Sequence, residues 1–395
     1  MPSSNADKQL HGQSAQDSLE FILQRCFDLG YLTEVESPYR IGKEGYSNAS
    51  QFYAPFLITF ADGTQWALFT TTSMRTDRIK GQQWDAINLK EINDTISQIY
   101  LVYPDGVSED IRAEFIRQNR KYANNSEYSA IDGIVSQDQI SNAIERYALR
   151  NLTPGQLRDA IGNNFENRIA TILSYPGNFL KWKTGNANRE GMHYDTFMAI
   201  VECIGLDKAT TDFIEATSDI NVIGLLPSGG KPKTDVLIRV VNTDGQEAFF
   251  TISCKRSSEQ SVSVHQYSAD SFADVLDGDN TELRELLNLF QRCGNRRDMG
   301  EDNINRLTLA IAPYIERLSM WVLGGRGGAG NPVTQWADFI VTYDNNDGST
   351  SVHTINDYYQ LLIHAGNNGM FGTPFSWTYQ GARGTNIQLK CKIIK

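Results

Sequence analysis

The sequence predicts an α+β protein, and three observations carry that prediction. Phe56–Ser73 and Asp235–Lys255 each read as two β-rich runs joined by Asp-Gly, a dipeptide suited to a tight hairpin turn. Other stretches place apolar residues at helical spacing, several of them behind a Ser, Thr or Asp cap. Of the 395 residues, 40% are hydrophobic, 10% aromatic and 21% charged, which is ordinary globular composition and leaves disorder to the ends.

At roughly 100 to 200 residues per domain the chain should form two or three domains. The first eighteen residues are polar, lack the apolar segment of a secretory signal, and are expected to be a disordered tail (1–18). A helix over 17–30, DSLEFILQRCFDLG, then opens an N-terminal α+β domain (19–150). Its next elements are the first hairpin, a strand in QIYLVYP and a helix in SEDIRAEFIRQNRKY. Helical patterns run from about Ser136 to Gly205, including a Thr-Pro start at Thr153-Pro154, and the domain boundary is placed near 150. In the second domain (151–395) the second hairpin precedes helices from about Val264, over Thr281–Cys293 and over Ile304–Leu323. Strands return at DFIVTYD, FSWTYQ and IQLKCKII.

The net charge of −11, from 36 Lys+Arg and 47 Asp+Glu, excludes a global positive field, so any nucleic-acid site must be a local patch. No apolar run is long enough to span a bilayer, and a cytoplasmic protein is expected. Five scattered cysteines form no CxxC and five scattered histidines no HExxH, which argues against a disulfide framework, a zinc knuckle and the commonest zinc hydrolases.

The sharpest constellation is Asp235 at the start of one strand with Ser253-Cys254-Lys255 at the end of its hairpin partner. A hairpin sets the two side by side, a carboxylate for a metal next to an amine that positions or deprotonates a water, as phosphodiester hydrolysis requires. This is the pattern of the PD-(D/E)xK nucleases, with Ser253 where a second carboxylate normally stands. A capped hairpin with a snorkelling lysine would present the same residues. The two hairpins also resemble each other. If they are homologous, the first has lost its chemistry, with Ala54-Pro55 near the place of Asp235 and Ser73 in that of Lys255.

Four further blocks sharpen the reading. SGGKPKTDVLIRV, FTISCKRSSEQSVSVHQYSADSF, RLTLAIAPYIERLSMWVLGGR and FGTPFSWTYQGARGTNIQLK occur in order between residues 228 and 390 and resemble the MspI family of type II restriction endonucleases. The first 150 residues show no counterpart. The resemblance implies a restriction-endonuclease-like fold, a mixed sheet flanked by helices, and a Mg²⁺-dependent enzyme that cuts double-stranded DNA at a short palindrome. CCGG or a related GC-rich word is the leading candidate, and the products should carry 5′ phosphates. It implies Asp235 and Lys255 as the catalytic pair with Ser253 beside them, and Asp235 with the Cys254 backbone carbonyl as metal ligands. Glu166 is a candidate supplementary acid or a solvated helix glutamate.

By the same resemblance Ser263, Thr378, Gln388 and Lys390 take the DNA-reading positions. Phe371–Lys395 contains Arg383, Lys390, Lys392 and Lys395 without one acid, as a phosphate-facing patch requires, although lysines on a sheet edge also serve to protect it. Lys233 and Arg326 are further candidates for phosphate contact. The segment carrying Arg75, Arg78, Lys80 and Trp84 suits either DNA or a solvated loop with one buried Trp. The expected partners are double-stranded DNA and, functionally, a methyltransferase acting on the same site, with the protein a monomer or homodimer. The alternative is a nuclease fold kept for DNA binding without cleavage.

Overall fold

The computed structural model describes residues 5–42, 51–73, 75–105, 107–123, 129–187, 189, 191–257, 259, 261–365, 369–379 and 386–394. The chain divides into two compact units, Met1–Asn164 with Thr171–Met198, and Phe165–Ala170 with Ala199–Lys395. The division therefore falls later than residue 150. One turn of a long helix belongs to the second unit, where Phe165 and Arg168 pack on the Tyr343 ring.

The first unit opens with α1 (Asn5–Asp28), which starts well before residue 17. Residues 5–18 are helix instead of a tail because Ser14, Ala15 and Ser18 are buried and Gln137 donates to both the Ala15 carbonyl and Ser18 Oγ. Then come β1 (Glu34–Glu36), β2 (Tyr39–Gly42), β3 (Gln51–Ala54), β4 (Phe56–Thr59) and β5 (Gln65–Thr70). They are followed by α2 (Thr76–Ile92), β6 (Ile96–Tyr103), α3 (Glu109–Tyr122), β7 (Gly133–Ser136) and α4 (Gln137–Ala148). The segment around Trp84 is thus a helix, and Trp84 stands 63% exposed on it. Beyond α4 run α5 (Pro154–Ser174), α6 (Pro176–Thr184) and α7 (Tyr194–Ile204), α5 entering through a Thr153 capping box with Pro154 in its first turn.

In the second unit β8 (Thr211–Thr217) and the short α8 (Ile220–Ile223) precede the hairpin β9 (Val236–Asn242) and β10 (Glu247–Ser257). β11 (Ser261–Tyr267) occupies the segment expected to begin a helix at Val264. Its β-branched and aromatic residues pair into a sheet, and α9 (Ala269–Asp277) starts only after the Ser268 cap. After α10 (Thr281–Cys293), the helix expected over Ile304–Leu323 is broken into α11 (Glu301–Ile311) and α12 (Ile315–Gly324), because Pro313 has no N–H to continue it. β12 (Phe339–Asp344), β13 (Thr350–Thr354), α13 (Ile355–His364), β14 (Ser376–Tyr379) and β15 (Ile387–Lys392) complete the chain.

Each unit carries a mixed five-stranded sheet, ordered β1-β4-β5-β6-β7 in the first and β13-β12-β10-β9-β8 in the second. The two share a plan: an antiparallel edge strand, a hairpin, then a crossover strand parallel to the hairpin's second arm. Both hairpins turn at Asp-Gly with the glycine at left-handed φ, and both close in the same register, Thr59 opposite Gln65 and Val241 opposite Glu247. The fifth strands differ, β7 being parallel and β13 antiparallel to its neighbour.

A separate three-stranded sheet, β11-β15-β14, lies in the second unit. Its inner face buries Trp377, Leu389 and Ile387 in a core with Phe272, Phe290 and Trp321, where each large side chain contributes roughly 1.5–3 kcal/mol. That anchorage holds its outer face in place.

Candidate active site

The Asp244-Gly245 turn fixes which residues of β9 and β10 meet, and with Val236 opposite Ile252 the chain just before β9 lies beside Ser253. The Asp235 N–H donates to the Ile252 carbonyl at 2.8 Å. Its carboxylate Oδ2 accepts from the Cys254 N–H at 2.7 Å, Lys255 Nζ at 3.0 Å and Ser253 Oγ at 3.2 Å. Lys255 Nζ also donates to the Cys254 carbonyl at 2.8 Å. Oδ1 takes none of these bonds and remains for a ligand.

Asp235 and Lys255 are 19% and 17% exposed, so the pair is largely withdrawn from water. Burial alone would lower the lysine's pKa, but the charge and hydrogen bond of Asp235 outweigh it and hold the ammonium above its ordinary value. Ser253 is fully buried, and its hydroxyl is spent on Asp235. It holds the aspartate and does not replace a second carboxylate. Burial pushes the Cys254 thiol far up, so only its backbone is open to chemistry.

Glu166, half-buried on α5, belongs to the same electrostatic neighbourhood. Burial and then the Asp235 charge raise its carboxyl to about 7, against the pull of Lys255 and Lys231. Two carboxylates that oppose each other's ionisation make a place a cation would relieve. Among the described residues no group of three or more His, Cys, Asp or Glu is arranged to hold a metal. Two carboxylates, a carbonyl and water nonetheless suit Mg²⁺, which keeps several waters and uses one or two carboxylates. The donor set fits that ion.

An open cleft of about 590 Å³ adjoins the pair, lined among others by Lys231, Lys233, Lys255, Ser263, Gln266 and Asn386. Lys233 is half-buried in its wall, and its ammonium donates to the Val264 carbonyl. Burial, then the Lys255 charge, draws that amine down to about 7 although Asp235 opposes them.

Residues directly opposite across antiparallel strands share a face. Ser263 and Ser376 flank Lys390, while Gln266 and Thr378 flank Gln388, so all six lie on the outer face of the three-stranded sheet. Thr378 Oγ1 donates to the Gln388 carbonyl and to its Oε1, both at 3.3 Å. Ser263, Thr378, Gln388 and Lys390 are therefore gathered on one polar surface. β15 is the middle strand of this sheet, so its lysines do not guard an edge.

Gln266 and Ser376 join this face without having been expected. Gln266 gets there because β11 is bulged between Ser263 and His265, which no spacing rule reveals. Arg326 is not among the residues lining the cleft and pairs with Asp338 at 3.1 Å. Arg383 lies outside the described residues. In the first unit Arg75 is occupied by Asp77 at 2.7 Å. No helix among the described residues is long and apolar enough to cross a membrane.

Residues 140–391 match the family model of restriction endonuclease MspI. The type II restriction enzyme BsuFI of Bacillus subtilis is 29% identical, over 98% of this chain and 98% of its own. That match extends through the first 150 residues, which thus have a counterpart after all. The type II restriction enzyme MspI of Moraxella sp is 24% identical, over 60% of this chain and 91% of its own. Among solved structures, restriction endonuclease MspI in complex with its cognate DNA aligns with a TM-score of 0.53 at 22% identity, covering 64% of this chain and 98% of that one.

Proposed function

Since this chain belongs to the MspI family of restriction endonucleases and is a site-specific deoxyribonuclease, we propose that it cuts double-stranded DNA with Mg²⁺ at a short GC-rich palindrome, CCGG or a related word, leaving 5′ phosphates. The observation that carries this reading is the Asp235–Lys255 contact at the wall of a lysine-lined cleft. Asp235, the Cys254 carbonyl and Glu166 hold the divalent metal, which when bound supplies Lewis-acid stabilisation of phosphate charge and a more acidic water. Lys255 stays protonated beside Asp235, so its role is to orient the attacking water or a phosphate oxygen, not to remove a proton. Ser253 and the Cys254 N–H fix the carboxylate that faces the scissile phosphate.

Base readout belongs to the outer face of the three-stranded sheet. Lys390 is suited to donate to guanine O6 and N7, and the amides of Gln388 and Gln266 offer both donor and acceptor. Lys231 neutralises phosphate at the cleft mouth. The functional partner is a methyltransferase that protects the same word. Digesting a plasmid of known sequence with Mg²⁺, then with EDTA, and sequencing the ends tests the reading. Discrete fragments sharing one word at their ends, lost with EDTA, are expected; an intact plasmid would identify a DNA-binding protein without cleavage.

Gln388→Ala and Lys390→Ala should each weaken binding at the cognate word by about 1–3 kcal/mol and leave binding to random duplex nearly unchanged. Fluorescence anisotropy on both duplexes over a salt series measures this. A uniform loss with a shallower salt dependence would reassign the residue to phosphate.

A further inference from the structure

We propose that Lys233 is a positioning residue that ties the base-reading sheet to Asp235, so that the seating of the sheet on a DNA sequence is felt at the catalytic carboxylate. The proposal rests on reading that sheet as the recognition surface.

It starts from the bulge in β11. Ser263 pairs with Lys390 and His265 with Leu389, so Val264 between them has no partner in the ladder. Val264 is buried, and a buried carbonyl without a donor is costly. Lys233 supplies the donor through its Nζ.

The bulge also decides what the sheet shows to DNA. With its extra residue, His265 lies opposite Leu389 and is buried, and Gln266 lies opposite Gln388 on the polar face. In an unbulged strand the register would slip by one, His265 would take the place of Gln266, and the reading face would change its chemistry. The contact from Lys233 therefore stabilises the feature that composes that face.

The other end of the tie is fixed as well. The Lys233 N–H donates to the Gln335 carbonyl at 3.2 Å, and its stem lies against Gly325, where a Cβ would come within 3.0 Å of Lys233 Cγ. Gly325 also has φ +80°, so the turn favours glycine there, and a Cβ would crowd the Lys233 stem. Two residues on, past the buried Thr234, the Asp235 backbone is held by Ile252. A displacement at the bulge thus passes through one side chain into a short backbone segment that ends at the carboxylate. Chains of packed side chains and hydrogen bonds of this kind are one route by which coupling between two sites travels.

Lys233→Met keeps the stem and removes the donor. The cognate word is taken from digestion by the wild-type chain, and single-turnover cleavage at saturating DNA is then followed on that word and on duplexes with one base pair changed. The expected result is a fall of about tenfold in cognate rate, a narrower gap between the word and its one-pair variants, and near wild-type affinity for both in EDTA. Lys233→Arg, which keeps a donor, should recover part of the rate, and Lys233→Gln serves if the methionine variant does not fold. Unchanged rate and discrimination would overturn the proposal. So would an equal loss of affinity on every sequence, which marks a phosphate contact, or a parallel fall of rate and melting temperature with discrimination intact, which marks a structural role. A wild-type chain that cuts no DNA would instead sink the functional reading itself.

Discussion

Asp235→Asn is expected to slow cleavage by roughly 10³-fold or more, since a loss of about 4 kcal/mol of transition-state stabilisation corresponds to three decades. The amide matches the carboxylate in shape, so it can still accept from the Cys254 N–H and Ser253 Oγ. It cannot neutralise Lys255 or hold a divalent cation through a charged oxygen. Some stability should be lost with it, because Lys255 becomes a largely buried ammonium without its counter-ion. DNA binding in EDTA should survive, because the recognition face does not include this residue. A plasmid-nicking time course, with a thermal melt to establish folding, measures both effects. Wild-type cleavage by a folded Asp235→Asn protein would refute the site.

Glu166→Gln should act in opposite directions on stability and activity. Burial and then the Asp235 charge raise the folded-state pKa of Glu166 to about 7 from its ordinary 4.5, so the folded protein prefers the protonated acid. Its contribution to stability is complete below about pH 4.5 and is lost as pH rises through about 7. Above that pH, without a cation, the ionised group is a load that glutamine removes. The variant should therefore melt higher than wild type in EDTA at pH 8, by roughly 2–4 °C for each kcal/mol relieved, and melt like wild type near pH 4. Its Mg²⁺-dependent cleavage should fall on the order of 10²-fold, with a higher Mg²⁺ requirement. A variant that melts no higher at pH 8 and cuts normally would make Glu166 an ordinary helix glutamate.

Much of this site is legible in the sequence because a tight turn determines register. Once Asp244-Gly245 is read as a turn, alternation along the two arms sets Asp235 and Lys255 together without further information. The outer face of the three-stranded sheet is legible only in part. Ser263, Thr378, Gln388 and Lys390 are found by resemblance, while Gln266 depends on a bulge whose extra residue, Val264, looks like any strand valine. Two consecutive buried residues, Val264 and His265, are its trace in the structure. The break at Pro313 is written in the sequence, yet apolar spacing continues on both sides and periodicity alone reads through it. The early start of α1 leaves a weaker signal, since the residues it buries there, Ser14, Ala15 and Ser18, are too small to register as an apolar stripe.

The hairpin of the first unit gives the catalytic one an internal standard. Counting along the sequence from the Asp-Gly turns, Tyr53, Thr71 and Ser73 fall at the positions of Asp235, Ser253 and Lys255, although Tyr53 belongs to β3, which pairs with β2 in a separate sheet. One register and one turn are thus realised with an ion pair and without one, so the backbone plan does not require those charges. The two hairpins therefore differ in what their ends carry: the first closes without an ion pair, while the second keeps a desolvated Asp and Lys where well-packed apolar residues would often serve stability as well or better. Within a single polypeptide the first hairpin thus shows what turn and register supply by themselves, and the Asp235–Lys255 pair is what the second adds to them.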